Sequence, residues 1–266
     1  MYCDYWKLKE PPFENVPDSR FVFYSANHDE ALMRLFYTVK YRKGACLLTG
    51  VVGCGKTTIS TVFMEKLKDE ALAVALVTNP KLSSQELIQD ILYRLGRPQP
   101  SNSAKIDLIH ALHEQLQTHY KEHKETVIII DEAHLIKDNE TYEELRLLLN
   151  YHQDNRFLLT LVLVGQPELK DSIQAIPQFE QRIPIKYHLK PLNFIDMCKY
   201  IQFRLKTAGS KRKIFTAEAV KRIFAYSGGI PRRINSICDM SLLAGYIERR
   251  NEIDHLIIEK VIEDEG

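Results

Sequence analysis

The chain has 266 residues, of which 45% are hydrophobic and 27% charged, with a formal net charge of +1. That is an ordinary globular composition, long enough for one large α/β domain and a smaller one, and its bulk charge argues for neither nucleic acid nor a membrane surface. Five scattered cysteines (Cys3, Cys46, Cys54, Cys198, Cys238) with no C-x-x-C pair suit reduced thiols, not a disulfide framework or a zinc cage. Residues 186–266 are mildly basic, with 15 Lys and Arg against 10 Asp and Glu. The N-terminus lacks the apolar core of a signal peptide, and no apolar run approaches the ~20 residues of a membrane helix. A cytoplasmic chain is expected.

Taken in order, residues 1–27 are rich in aromatics and proline and read as an extended segment laid over the first domain. Asn27 is placed to cap a helix over 28–41, with Glu30 completing a capping-box pattern. Residues 45–49 form a short buried strand and 58–68 the helix after it. A strand over 72–78 and helices over 84–95 and 103–123 follow. His110 and His113 on the last of these lack a neighbouring acidic or thiol ligand and read as a solvated face. Strands over 126–130, 157–164 and 183–188 alternate with helices over 140–151 and 168–173. Buried strands alternating with helices predict a parallel sheet covered on both faces. From residue 193 no strand pattern remains, and four helices are expected over 193–207, 216–226, 231–249 and 253–262. The expected domains are therefore 1–190, an αβα core carrying the N-terminal segment, and 191–266, an all-helical lid.

The stretch around which the chain is organised is Gly50-Val51-Val52-Gly53-Cys54-Gly55-Lys56-Thr57-Thr58. It matches G-x-x-x-x-G-K-[ST], and it lies between a predicted strand and a predicted helix, as that motif requires. Such a loop turns backbone N–H groups toward a phosphate chain at a helix N-terminus, where the dipole favours negative charge. Glycines at 50, 53 and 55 permit close approach and positive φ where needed. Lys56 would reach the β- and γ-phosphates and Thr57 would ligate Mg²⁺. Cys54 sits at an electropositive helix start, although a small residue that merely fits is the simpler reading.

A second element is the apolar strand ending in Asp131-Glu132, which delivers two acids to the carboxyl edge of the sheet. Asp131 would hold the hydrated metal, and Glu132 would polarise the attacking water as general base. Gln166 follows the next strand and would point toward the γ-phosphate. Arg182 precedes the last strand, where a guanidinium could act on a neighbouring subunit's site. Arg232 and Arg233 follow Gly228-Gly229-Ile230-Pro231, with Pro231 suited to a first helical turn. Such an arginine could reach the phosphates from the helical domain.

Residues 50–57, Asp131-Glu132, Gln166, Arg182 and Gly229-Ile230-Pro231-Arg232 resemble, in order, Walker A, Walker B, sensor 1, arginine finger and sensor 2 of an AAA+ ATPase. The strings Tyr5-Trp6-Lys7-Leu8-Lys9-Glu10-Pro11-Pro12-Phe13, Pro17-Asp18-Ser19-Arg20-Phe21, His28-Asp29-Glu30-Ala31-Leu32, Leu145-Arg146-Leu147-Leu148 and Val162-Leu163-Val164-Gly165-Gln166-Pro167-Glu168-Leu169 are similar to the cytoplasmic ATPase domain of the general secretion pathway protein A (ExeA) family. The resemblance implies a five-stranded parallel P-loop sheet sandwiched by helices, followed by a helical lid. It also implies ATP and Mg²⁺ as ligands, nucleotide-dependent homo-oligomers, and a segment around Phe21 to His28 lining the adenine pocket. Longer members continue into a membrane helix and a peptidoglycan-binding domain, so a secretion or inner-membrane partner is expected. Cys54 departs from the commoner Thr or Ser, and Gln166 from the Asn of most sensor 1 positions. A DNA-binding transposition regulator of the MuB or TnsC kind is the alternative. In that reading Arg204, Lys206, Lys211, Arg212 and Lys213 would be phosphate contacts.

Overall fold

Fully apolar strands followed by amphipathic helices can bury their backbone polar groups only by pairing side by side and being covered on both faces. The computed structural model describes residues 1–16, 18–67 and 71–265. The expected helix end at Lys68 lies outside the described residues, as do Pro17 and Gly266. The described residues divide into two compact units.

One unit comprises residues 27–51 and 56–189. Its strands are β1 (Ala45–Gly50), β2 (Leu72–Val77), β3 (Glu125–Ile130), β4 (His152–Gln153), β5 (Arg156–Phe157), β6 (Leu159–Gly165) and β7 (Ile185–Leu189). Five of them form one parallel sheet in the order β2-β3-β6-β1-β7. The intervening helices are α2 (Ala26–Lys40), α3 (Lys56–Leu67), α4 (Ser84–Arg94), α5 (Lys105–Lys121), α6 (Asn139–Leu148), α7 (Glu168–Gln174) and the short α8 (Pro177–Glu180). Alternate side chains along each strand point to opposite faces. On one face Ala45, Leu47, Ile128, Ile130, Leu161 and Leu163 join a core with Ile88, Ile91, Leu112 and Leu145 from α4, α5 and α6. On the other, Phe36 of α2 meets Phe63 of α3 edge to face at 5.0 Å. Cys46 of β1 is fully buried there and pairs with Thr38 of α2, and burial pushes its thiol up to about 12.

Two expectations are corrected here. The helix read as beginning after Asn27 starts at Ala26, which places Asn27 inside its first turn. The strand read over 157–164 is two elements: Phe157 belongs to a small hairpin with β4, and the sheet strand begins at Leu159. The hairpin turns at Asp154 and Asn155, both at positive φ (50° and 59°), the pairing that a tight two-residue turn demands.

The other unit comprises residues 1–26, 52–55 and 190–266. Its helices are α1 (Tyr2–Trp6), α9 (Phe194–Thr207), α10 (Ala217–Ser227), α11 (Pro231–Ile247) and α12 (His255–Glu265). Asn193 and Thr216 cap α9 and α10 by accepting from the amides of Asp196 and Ala219. The N-terminal segment was expected to lie with the sheet domain. Instead Trp6, Leu8, Phe13 and Phe21 are core residues of this helical unit, and Trp6 Nε1 donates to Leu242 O at 2.8 Å. Gly245 admits the indole, since a Cβ there would lie 2.8 Å from Trp6 Cζ2.

Arg204 fixes the segment. Its guanidinium is buried, donating from Nε to Pro12 O at 2.5 Å and from Nη2 to Glu14 O at 2.8 Å. It also stands over the Phe21 ring at 4.9 Å and donates to Tyr200 Oη at 3.1 Å. Tyr200 in turn donates to Asn235 Oδ1, whose amide donates to Asn15 Oδ1. Grouping Arg204 with the exposed basic cluster is therefore wrong: its charge is spent on carbonyls inside the unit. No helix among the described residues is long and apolar enough to cross a membrane.

Replacing Arg204 with Ala orphans two carbonyls and removes a buried cation, so the helical unit should lose about 3 kcal/mol of stability. Trp6 is the chain's one tryptophan, so its fluorescence in urea reports that unit directly. An unchanged midpoint would show that the N-terminal segment is held by its aromatic residues alone.

Candidate active site

The sheet register brings the predicted site residues to one edge. Thr49 of β1 pairs with Gly165 of β6, Ile130 of β3 with Leu163, and Val77 of β2 with Ile130. Gly50, Asp131-Glu132 and Gln166 therefore leave the carboxyl ends of neighbouring strands side by side, where open parallel sheets place their ligands.

Lys56 and Thr57 open α3, whose first-turn amides have no helical partner. Lys56 is buried, and its ammonium donates to Gly50 O at 2.8 Å and Val51 O at 3.1 Å. Thr57 is exposed and Thr58 half-buried. Thr57 Oγ1 donates to Asp131 Oδ2 at 3.2 Å, so the two expected metal ligands touch. A hydroxyl beside a carboxylate is a hard oxygen donor pair, suited to a Mg²⁺ that retains several waters. Asp131 is buried and also accepts the Glu132 amide at 2.9 Å. Burial raises its carboxyl above the ordinary range, against the lowering effect of that amide.

Glu132 stands at φ 54°, ψ 32°, a left-handed conformation uncommon for a residue with a long side chain. It is partly exposed, and its Oε2 lies 3.3 Å from Nε2 of His134. The same imidazole meets Gln166 twice: Nδ1 accepts the Gln166 backbone N–H at 3.3 Å, and Nε2 lies 2.8 Å from the Gln166 side-chain amide. The sequence reading missed His134. Its place two residues after the proposed base was a readable signal.

The loop residues Val52, Gly53, Cys54 and Gly55 group with the helical unit. Gly53 and Gly55 hold φ of 78° and 102°, the positive values expected of them, whereas Gly50 completes β1. Val52 is exposed and Cys54 buried. Within that unit Arg232 N donates to Gly53 O at 3.2 Å, and a Cβ on Gly53 would lie 2.7 Å from Arg232 Cβ. Pro231 occupies the first turn of α11, and the side chains of Arg232 and Arg233 are exposed. Arg182 is not gathered with the other residues of the sheet unit; it lies exposed after α8. His28 is buried in the first turn of α2, but Phe21 of the expected adenine-lining segment is committed to the core of the helical unit.

A phosphate loop, an acidic pair and a polar sensor along one edge of a 2-3-6-1-7 parallel sheet define a P-loop nucleotide-binding fold. A profile of the AAA domain matches residues 39–173. The chain is 37% identical over 258 residues to general secretion pathway protein A of Aeromonas hydrophila, covering 96% of this chain and 47% of that protein. The chain belongs to the AAA+ family of ATPases and is similar to that secretion protein along nearly all of its own length. It spans about half the length, or less, of the curated relatives it matches; the other is an uncharacterised HTH-type transcriptional regulator of Methanocaldococcus jannaschii, 26% identical over 145 residues, with 53% of this chain and 35% of that protein covered. Among solved structures, the ORC2 protein of Aeropyrum pernix in its ADPNP–ADP complexes superposes with a TM-score of 0.69 at 19% identity, over 96% of this chain and 71% of its own. The Thermotoga maritima RuvB branch-migration motor gives 0.59 at 18%, over 90% and 69%. At those identities the likeness is one of fold.

Because folded Asp131 binds its proton more tightly than the unfolded chain, its contribution to stability falls as pH rises from about 4 toward the raised folded value. Asp131→Asn keeps an acceptor for Thr57 and removes the buried charge. Its thermal midpoint without nucleotide at pH 7 should exceed wild type by roughly 2 °C. A lower midpoint in calorimetry would mean that the carboxylate is paid for by contacts the amide cannot reproduce.

Proposed function

We propose that this chain is an ATP-hydrolysing module whose output is a nucleotide-dependent change of conformation and assembly. The observation that carries the reading is the 3.2 Å contact between Thr57 and Asp131, which joins the phosphate loop to the acidic pair at one sheet edge. Gly50, Val52, Gly53, Cys54, Gly55, Lys56, Thr57 and Thr58 would form the phosphate site, and Thr57 with Asp131 would hold Mg²⁺. Bound there, the metal would supply a Lewis acid on the phosphate oxygens.

This chain's own groups have distinct parts. The loop amides and Lys56 bind and orient the phosphates, and Lys56 would exchange the carbonyls of Gly50 and Val51 for phosphate oxygens. Glu132 takes a proton from the attacking water, and Gln166 donates to a phosphate oxygen or orients that water. Arg232 senses the nucleotide, and His28 stays in the adenine-binding reading. Arg182, exposed in the single chain, would complete a neighbouring copy's site, which makes a homo-oligomer the active form.

The 37% identity to general secretion pathway protein A supports a role in assembling a secretion or cell-envelope apparatus, with a cytoplasmic module meeting an inner-membrane partner. The DNA-binding alternative is weaker: Arg204 is buried, leaving Lys206, Lys211, Arg212 and Lys213 as its exposed basic residues.

Lys56→Ala should abolish binding of a fluorescent ATP analogue. Glu132→Gln should bind it normally but turn over at least roughly 10²-fold more slowly. Arg182→Ala should also bind ATP, with turnover reduced by roughly 10³. Equal turnover by Glu132→Gln and wild type would remove Glu132 from its role, and retained turnover in Arg182→Ala would place the finger elsewhere.

A further inference from the structure

His134 is the feature of this edge that the nucleotide-binding motifs leave without a part. Its ring is about one-tenth exposed and touches both Glu132 and Gln166. The contact is built into the backbone. Gly165 precedes Gln166, and a Cβ there would lie 3.2 Å from His134 N and 3.3 Å from His134 Nδ1. It would also lie 2.7 Å from Leu169 Cδ2. A side chain at 165 would press on both the backbone and the ring of His134.

The ring's tautomer follows from its partners. A backbone N–H can only donate, so Nδ1, which receives the Gln166 amide at 3.3 Å, carries no proton in the neutral ring. The one imidazole proton is therefore on Nε2, and two groups face it: Glu132 Oε2 at 3.3 Å and the Gln166 side-chain amide at 2.8 Å. A donor on Nε2 needs an acceptor opposite. The Gln166 amide must then turn its oxygen to the ring, a half-turn that exchanges oxygen and nitrogen without moving the chain. That turn leaves the Gln166 NH₂ as the group available to a phosphate oxygen.

We propose that His134 is a positioning residue that couples Gln166 to Glu132 through its single Nε2 proton. The proton fixes the donor polarity of Gln166 and, shared with Glu132, holds the carboxylate of the general base. When Gln166 engages a phosphate oxygen, the sharing shifts and Glu132 is released to its water. The inference rests on the ATPase reading above and names how its sensor and its base communicate.

Two measurements on the full chain test it. Nitrogen-15 imidazole spectra of the nucleotide-free protein should show His134 as the neutral Nε2–H tautomer. The Nε2 resonance should move in Gln166→Ala and again on adding Mg²⁺, ADP and beryllium fluoride to wild type. A His134 ring protonated on Nδ1, or an Nε2 signal indifferent to Gln166, overturns the coupling without any assay of turnover. In kinetics, His134→Ala should lower kcat roughly 10- to 100-fold, the usual loss when an outer partner of an active-site group is removed, with KM changed less than about threefold. His134→Gln, which keeps an amide donor, should recover part of that loss.

Combining His134→Ala with Glu132→Gln should slow turnover no further than Glu132→Gln alone. Fully additive losses would reject the coupling while leaving the ATPase reading intact. Failure of that reading would look different, with nucleotide binding surviving Lys56→Ala or full turnover surviving Glu132→Gln.

Discussion

The chemistry at this edge depends on the register of four parallel strands. Neighbours among β1, β6 and β3 are staggered by only a residue or two at their carboxyl ends, with β2 level with β3, and the candidate site residues Gly50, Asp131 and Gln166 stand at the ends of β1, β3 and β6. The ladder continues one residue beyond β3, since Asp131 N donates to Val77 O at 2.9 Å. That bond fixes the backbone from which both acids project. A slip of one residue in β3 would turn Asp131 to the opposite face of the sheet and separate it from Thr57. The register is secured by the side chains, because Ile128 and Ile130 on one face and Val127 and Ile129 on the other are fully buried. The geometry of the candidate site is thus a by-product of packing apolar residues on both faces.

A buried ammonium needs partners, and Lys56 has them in the carbonyls of Gly50 and Val51. Thr57 and Asp131 satisfy one another in the same way. The edge is therefore polar, charged and internally hydrogen-bonded. In the proposed reading, a phosphate chain would offer Lys56 oxygens in place of the oxygens it gives up, and a hard cation would take up the Thr57 and Asp131 oxygens in place of their mutual bond. Such an exchange of one set of oxygen contacts for another would keep the desolvation cost of binding low, since no charge would be stripped of partners on the way.

Much of this was legible in the sequence, for a physical reason. Strands of a parallel sheet are buried on both faces and read as unbroken apolar runs, so β1, β2, β3 and β6 stand out, and the motifs at their ends inherit their positions. The phosphate loop is legible because glycine spacing and a lysine at a helix start have few other uses. What escaped depends on distant partners. Nothing near Arg204 shows that Pro12 and Glu14 supply its carbonyls, so it reads as one more surface cation. Trp6 and Phe13 lie in a stretch without periodicity, and their partners on α9 and α11 are some 200 residues away in the chain, so the stretch reads as extended cover for the nearer domain. The position of His134 two residues after Glu132 was readable, but its contact with Gly165 and Gln166 was not, because that depends on β6 lying beside β3.

The start of α11 shows how a helix terminus can be tied to a loop by its geometry alone. Pro231 brings no amide to the first turn, so Arg232 supplies the first free N–H, and Gly53 O accepts it at 3.2 Å. The close approach requires glycine on the loop side, since a Cβ at 53 would meet Arg232 Cβ at 2.7 Å. It requires glycine again at 229, where φ is 77° and any side chain would strike the carbonyl of Leu192. The Leu192 amide closes the arrangement by donating to Gly229 O at 2.9 Å. The Gly228-Gly229-Ile230-Pro231-Arg232 string is therefore shaped first by backbone contact and only then by the charge of Arg232. Rotation of the Gly53 peptide necessarily breaks this hydrogen bond, so the orientation of that peptide and the seating of α11 are one variable within the helical unit.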